Sequence, residues 1–121
     1  MLAKVNLDER LSRIPDHWNP RIVGELNGQH VKLARLHGEF TWHSHQDEDE
    51  LFLVLDGSLR MEIRDEVVVV EPGEFLSVPR GVEHRPEAED EVQELLFEPA
   101  GTLNTGVADD PRTIAEPEWL R

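Results

Sequence analysis

Short apolar and β-branched runs, cut by turn-forming residues at roughly 8–12 residue spacing, restrict the fold of this chain more than any other feature. Residues 21–26 and 29–37 flank Asn27-Gly28, a dipeptide suited to a two-residue hairpin turn. Residues 40–45 read as a short extended segment, and 51–55 form a wholly apolar run that ends at Asp56-Gly57. Residues 59–63 alternate in polarity, 67–70 are all valine, and 75–78 follow Pro72-Gly73. Pro79-Arg80-Gly81 makes another corner before a last strand over 91–97. About eight short strands in this rhythm predict an all-β sandwich or closed barrel.

The ends differ from the middle. Asn6 followed by Glu9 resembles a capping box, and Leu7, Leu11 and Ile14 share one helical face, predicting a short helix over 6–14 that stops before Pro15. Residues 99–121 are rich in Pro, Gly, Asp and Thr, with Ile114, Trp119 and Leu120 as possible anchors, and predict an irregular tail that wraps the barrel or stays partly loose. The 121 residues suit one domain over 1–121, with its core at about 20–100.

Composition excludes several functions. With no cysteine there are no disulfides, iron–sulfur clusters, thiolate zinc sites or thiol nucleophiles. The 26 acidic against 12 basic side chains give a net charge of −14, which repels phosphate backbones and anionic lipid, so nucleic-acid and membrane partners are not expected. Asp8, Glu9, Arg10 and Arg13 interrupt any apolar leader, and a cytoplasmic protein is expected. No phosphate-binding glycine loop, activated serine or dinucleotide fingerprint occurs, so candidate chemistry falls to one set of residues.

His43 and His45 stand two apart on an extended segment, where alternate side chains share a face. Glu50 follows across a turn-like stretch at the start of the next strand, and His84 comes just after the Pro79–Gly81 corner. Three imidazoles and one carboxylate on strands make a mixed nitrogen and oxygen site for a divalent transition metal, with two octahedral positions left open for a small-molecule substrate or ligand. Asp47, Glu48 and Asp49 read as a solvated loop, and His17, His30 and His37 lack partners at ligand spacing. Arg35, Arg60 and Arg64 are candidates to clamp a substrate carboxylate, although an outward orientation is the commoner fate of such residues. Phe40, Trp42 and Phe52 are expected on the barrel wall or in a subunit contact. Residues 51–55 are apolar on both faces, so their outer face needs a cover, and a homodimer is the expected one.

The run Gly38–His43–His45–Glu50–Gly57 followed by Gly73–Pro79–Gly81–His84 resembles the two sequence motifs of the cupin superfamily. Spacing agrees from Glu50 to Gly57 and from Gly73 to His84; Gly38 stands one residue nearer His43 than the motif has it, and Ala88 takes the place of the usual Asn. The resemblance covers roughly residues 20–100 and implies a double-stranded β-helix, the jelly-roll or RmlC-like barrel. It also implies that His43, His45, Glu50 and His84 bind Fe, Mn, Ni, Zn or Cu. Small single-domain members include dioxygenases, isomerases and lyases, among them the group labelled mannose-6-phosphate isomerase-like. An oxygenase is the preferred reaction class; an isomerase or lyase, or a non-catalytic binding module, is the alternative.

Overall fold

The computed structural model describes residues 2–121. A helix, α1 (Leu7–Leu11), precedes seven strands: β1 (Arg21–Leu26), β2 (Gln29–Glu39), β3 (Glu50–Asp56), β4 (Leu59–Ile63), β5 (Glu66–Val70), β6 (Phe75–Val78) and β7 (His84–Pro99). Every strand pairing is antiparallel. The turn dipeptides fall between β1 and β2, β3 and β4, and β5 and β6, where the sequence places them. Asn27 takes a positive φ of 51°, as a tight two-residue hairpin turn requires.

The long strand β7 organises the sheet. One edge pairs with β2 from Gln29↔Pro99 to Glu39↔Glu87. The other edge is divided: β4 lies against its first residues, from Ile63↔His84 to Arg60↔Glu87, and β3 against its last, from Leu51↔Phe97 to Asp56↔Gln93. β1 extends the β2 side, β6 the β3 side, and β5 joins β4. The result is a double-stranded β-helix around one interior, filled by Leu36, Phe52, Val54, Leu59, Met61 and Val92 among others.

A second apolar layer lies outside the sheet. Leu11 and Ile14 from the α1 region pack on Val23 and Leu33. Asn6 accepts a hydrogen bond from the Glu9 amide at 3.0 Å, closing the start of α1. At its other end Arg35 donates to the Leu11 carbonyl at 2.9 Å and the Ile14 carbonyl at 3.1 Å, which ties the end of α1 and the turn after it to β2. Because partners across a ladder share a face, Phe75, Leu53, Leu95 and Leu33 form one outward row, and Ser77, Leu51, Phe97 and Val31 the next. α1 covers the Leu33 end, whereas Phe75 at the far end is 64% exposed.

Three elements differ from expectation. The helix is shorter than 6–14: beyond Leu11 the chain continues in tight turns, Arg13 bonding to Arg10 and Ile14 to Leu11, because Pro15 cannot donate to prolong it. Residues 40–45 form no strand; their one ladder contact is the bridge between His43 and His84. β7 begins at His84 rather than 91, its first half hidden in the sequence by Pro86 and an acidic run. The tail is irregular but held: Trp119 bridges Ile22, Leu120 donates to the Ile22 carbonyl at 2.8 Å, and Val107 donates to the Ser44 carbonyl at 3.0 Å. Among the described residues no helix is long and apolar enough to cross a membrane.

Candidate metal centre

Two loops stitched together by their backbones bring the four residues to one place. His43 and His84 exchange amide-to-carbonyl hydrogen bonds of 3.0 and 2.9 Å. Gly81 donates to the His45 carbonyl at 2.7 Å, and the Arg80 amide donates to Asp49 at 2.8 Å. Glu50 and His84 are the first residues of β3 and β7, so both are anchored by strand ladders. All four side chains are buried, and one donor atom from each lies within 4.8 Å of every other. Two donors bound to one ion at about 2.1 Å stand at most about 4.2 Å apart, so small side-chain adjustments suffice to close the set on a metal.

The hydrogen-bond inventory supports the same arrangement. The Nδ1 atoms of His43 and His84 each lie 2.9 Å from a backbone carbonyl, that of Thr41 or Val82. A carbonyl only accepts, so Nδ1 holds the proton and Nε2 offers its lone pair to the centre. His45 Nε2 and Glu50 Oε1 are 2.8 Å apart, yet both, like His84 Nε2, remain buried without a hydrogen-bond partner. Buried polar atoms left unpaired are expensive. Here they converge on one point, as donors awaiting a cation do. The group can hold a metal ion.

Electrostatics keeps two of the four candidate donors, His43 and Glu50, in the forms that bind a cation. Burial, then the His84 charge, lowers the His43 imidazole to about 4, so it is neutral near pH 7. Burial works to raise the Glu50 carboxyl, but Glu98, His45 and His84 beside it outweigh that and keep it ionised well below the usual carboxylate range.

Next to His43 and Glu50 the barrel holds a cavity of about 30 Å³, walled by Leu36, Phe40, Phe52 and Leu96, with Glu94 and Glu98 also facing it. Trp18 and Asn104 are its partly exposed lining residues and mark the solvent end. Glu98 is clamped by the buried Lys32 ammonium at 2.8 Å, which also reaches the Thr102 carbonyl at 3.4 Å. Burial, followed by the Glu50 charge, pushes Glu94 up to about 8. Lys32, Glu94, Glu98, Trp18 and Asn104 were not legible as site residues, because charged side chains on strands ordinarily point outward and Trp18 and Asn104 come from irregular segments.

Of the three arginines considered as clamps, two have other partners and the third faces solvent. Arg35 holds the end of α1 and Glu91, Arg64 pairs with Glu83 and stacks 3.9 Å over Trp42, and Arg60 is exposed. Phe40 and Phe52 line the cavity, whereas Trp42 lies under Arg64 and not in it. Asp47 and Asp49 are exposed, as expected of a solvated loop.

The two displaced titrations oppose one another in the metal-free protein. Folded His43 refuses the proton that an unfolded histidine takes near 6.5, so stability falls as pH drops from 6.5 towards 4. Folded Glu94 keeps a proton that an unfolded glutamate releases near 4.5, so stability falls as pH rises from 4.5 to about 8. Urea unfolding in the presence of a chelator is expected to show Glu94→Gln gaining on the wild type across that second window, by a few kcal/mol at pH 8 and by nothing below pH 4.5. A difference that does not change with pH would contradict the assignment.

Residues 29–97 match the Cupin domain family. The uncharacterized protein YdbB of Bacillus subtilis (strain 168) is 42% identical over 64 residues, 52% of this chain and 57% of YdbB, so the chain spans a little over half the length of the curated relative it matches. Among solved structures, a cupin-2 domain containing protein from Shewanella frigidimarina NCIMB 400 is 39% identical, with a TM-score of 0.78 over 78% of this chain and 93% of that one. Protein NMB1881 from Neisseria meningitidis is 28% identical, with a TM-score of 0.75 over 81% of this chain and all of that one (100%).

Proposed function

The chain belongs to the Cupin domain family, and from that membership we propose that it is a divalent-metal-dependent enzyme acting on a small molecule, with oxygenase chemistry as the preferred class. One observation carries the reading: His43, His45, Glu50 and His84 are buried together with three of their polar atoms aimed at a common point and unpaired. Three imidazoles and a carboxylate suit Fe(II) or Mn(II) as well as Ni, Cu or Zn, and leave coordination positions free. When bound, such an ion supplies Lewis acidity and, if redox-active, electrons. The protein's own part is to hold His43 and His84 in one tautomer, keep Glu50 ionised, and place beside them a small buried cavity with apolar walls and two further carboxyls, Glu94 and Glu98.

The test is direct. Protein stripped with a chelator and reloaded separately with Fe(II), Mn(II), Ni(II) or Zn(II) is screened against catechols, diketones and sugars for turnover and oxygen uptake. Turnover by a redox-metal form with O₂ consumption is the expected result. Tight binding of one ligand with no turnover by any metal form would replace the enzyme with a binding module.

For the outer apolar rows the occupant we propose is a second copy of this chain. Leu51, Leu53 and Phe97 are half-buried and continuous with Phe75 across β6, β3 and β7, the kind of uncovered sheet face that invites association. Sedimentation velocity is expected to give a dimer for the wild type and a folded monomer for Leu53→Lys. A wild-type monomer at tens of micromolar would remove the dimer.

A further inference from the structure

Glu94 sits in the barrel interior with no role in assembling the ligand set. Its register partners are Ala34 on β2 and Val54 on β3, neither of which offers it a hydrogen bond. It is 3% exposed, its Oε2 atom has no hydrogen-bond partner, and it lines the cavity beside His43 and Glu50. An unpaired buried carboxyl costs stability. A leucine there would pack against Leu36, Phe52 and Leu96 without that cost, so folding alone does not account for an acid at this position.

The cavity also states what it excludes. Its lining includes Glu50, Glu94 and Glu98 but no lysine or arginine. Of the cations near it, Lys32 is spent on Glu98 and on the Thr102 carbonyl, and Arg112, whose guanidinium lies over the Phe40 ring, is paired with Asp110 at 3.1 Å. A phosphate or carboxylate pushed past the metal position would meet acidic groups and no free positive partner. The enclosed volume of about 30 Å³ holds a water or the polar tip of a small molecule, whose body must then lie towards Trp18 and Asn104.

We propose that this cavity takes a small uncharged molecule bearing two oxygen functions, one directed to the candidate metal and the other accepting a hydrogen bond from the Glu94 carboxyl. This rests on the metal-dependent reading above and adds to it a residue and a substrate class. Burial favours the protonated, donating form of Glu94. His43, Glu50 and Glu98 are the other titratable groups lining the same space.

Co(II) provides a readout that does not depend on turnover, since its visible spectrum reports on ligands entering its coordination shell. The Co(II) form of the wild type is titrated with hydroxyacetone, which is neutral, and with glycolate, its anionic counterpart of similar size. Glu94→Leu and Glu94→Gln are titrated alongside. Both variants are expected to take up Co(II) like the wild type, and Glu94→Leu to melt at a higher temperature. Hydroxyacetone should bind Glu94→Leu about fivefold or more weakly, the loss expected for one hydrogen bond, while Glu94→Gln, whose amide still donates, stays within about twofold. Glycolate should bind Glu94→Leu no more weakly than the wild type.

Hydroxyacetone affinity unchanged in Glu94→Leu, equal losses for both ligands, or no spectral response of the wild type to hydroxyacetone would each overturn the proposal while leaving the metal site standing. Failure of the wild type to take up Co(II) would overturn the metal-dependent reading and this proposal with it.

Discussion

His84→Ala is expected to abolish stoichiometric uptake of Zn(II) or Co(II) and, with it, the thermal stabilisation that those ions give the wild type. His84 is fully buried, and its Nε2 atom, 3.4 Å from Glu50 Oε1, is one of the atoms left without a partner. Changing a residue that merely supports a ligand costs roughly 10–100-fold in metal affinity, so removing a donor should cost more than about 100-fold. In the wild type, free ion at about 1,000 times its dissociation constant adds about 4 kcal/mol to stability, which for a chain of this length raises the melting temperature by around 10 °C or more. Differential scanning calorimetry with and without Zn(II) reads this shift, and metal analysis after gel filtration reads the stoichiometry. The backbone bonds between His43 and His84 involve no imidazole and survive the substitution, so the variant is expected to fold. Glu50→Gln, which keeps the size of the side chain but replaces one carboxylate oxygen by an amide nitrogen that donates, should lose the shift as well. A full shift retained by either variant would show that the ion binds elsewhere.

The second large effect comes from outside the motifs. Gly106 lies in the tail at φ +56°, where an added Cβ would stand 2.1 Å from the Ser44 carbonyl oxygen and 3.3 Å from His45 Cε1. Neither neighbour is the free end of a flexible side chain: one is backbone, and the other is an imidazole of the candidate site. The same stretch is tied down by Val107 donating to the Ser44 carbonyl. Gly106→Ala must therefore push the tail away from residues 44–45 or displace His45, and a loss of at least about 2–3 kcal/mol in stability is expected, in line with other overpacking changes. Zn(II) affinity should fall too, by tenfold or more, as it does when the support of a ligand is altered. Gly101→Ala is the matched control: it shares the tail and a positive φ, but its Cβ meets nothing within 4 Å. It should cost about 1 kcal/mol of backbone strain and leave metal affinity unchanged. Equal effects at both positions would mean that the tail merely stabilises the fold.

Most of the barrel is legible in the sequence because its turns are chemically explicit. Asn27-Gly28, Asp56-Gly57 and Pro72-Gly73 separate the strands they were expected to separate. The four candidate ligands are legible because two of them fall at the strand spacing of two and the others match motif distances, and the structure brings all four together. What lies behind them is not. In the last half of β7, Glu94 and Glu98 face inward while Leu95 and Phe97 face outward, the reverse of the usual alternation. Reading polarity as exposure fails there because both faces of the strand are occupied: the inside by Lys32 and the site, the outside by a continuous apolar layer that α1 partly covers. The segment 40–45 is extended in pattern but forms no strand, since its backbone bonds go to residues 81–86 and to the tail instead of to one continuous ladder. Gly106 gave no signal, because the reason for its missing side chain lies 62 residues away at Ser44.

The reciprocal amide bonds between His43 and His84 bear on which ion the candidate centre would take up. They fix two donors through the main chain before any ion arrives, so loading requires no folding step and exerts little choice among cations of similar size. Intrinsic affinity then follows the general order in which copper and zinc outrank iron and manganese. The occupant of a purified sample should accordingly track the trace-element supply of the culture, changing when the medium is changed, and a zinc-filled preparation would say nothing about which element the living cell uses.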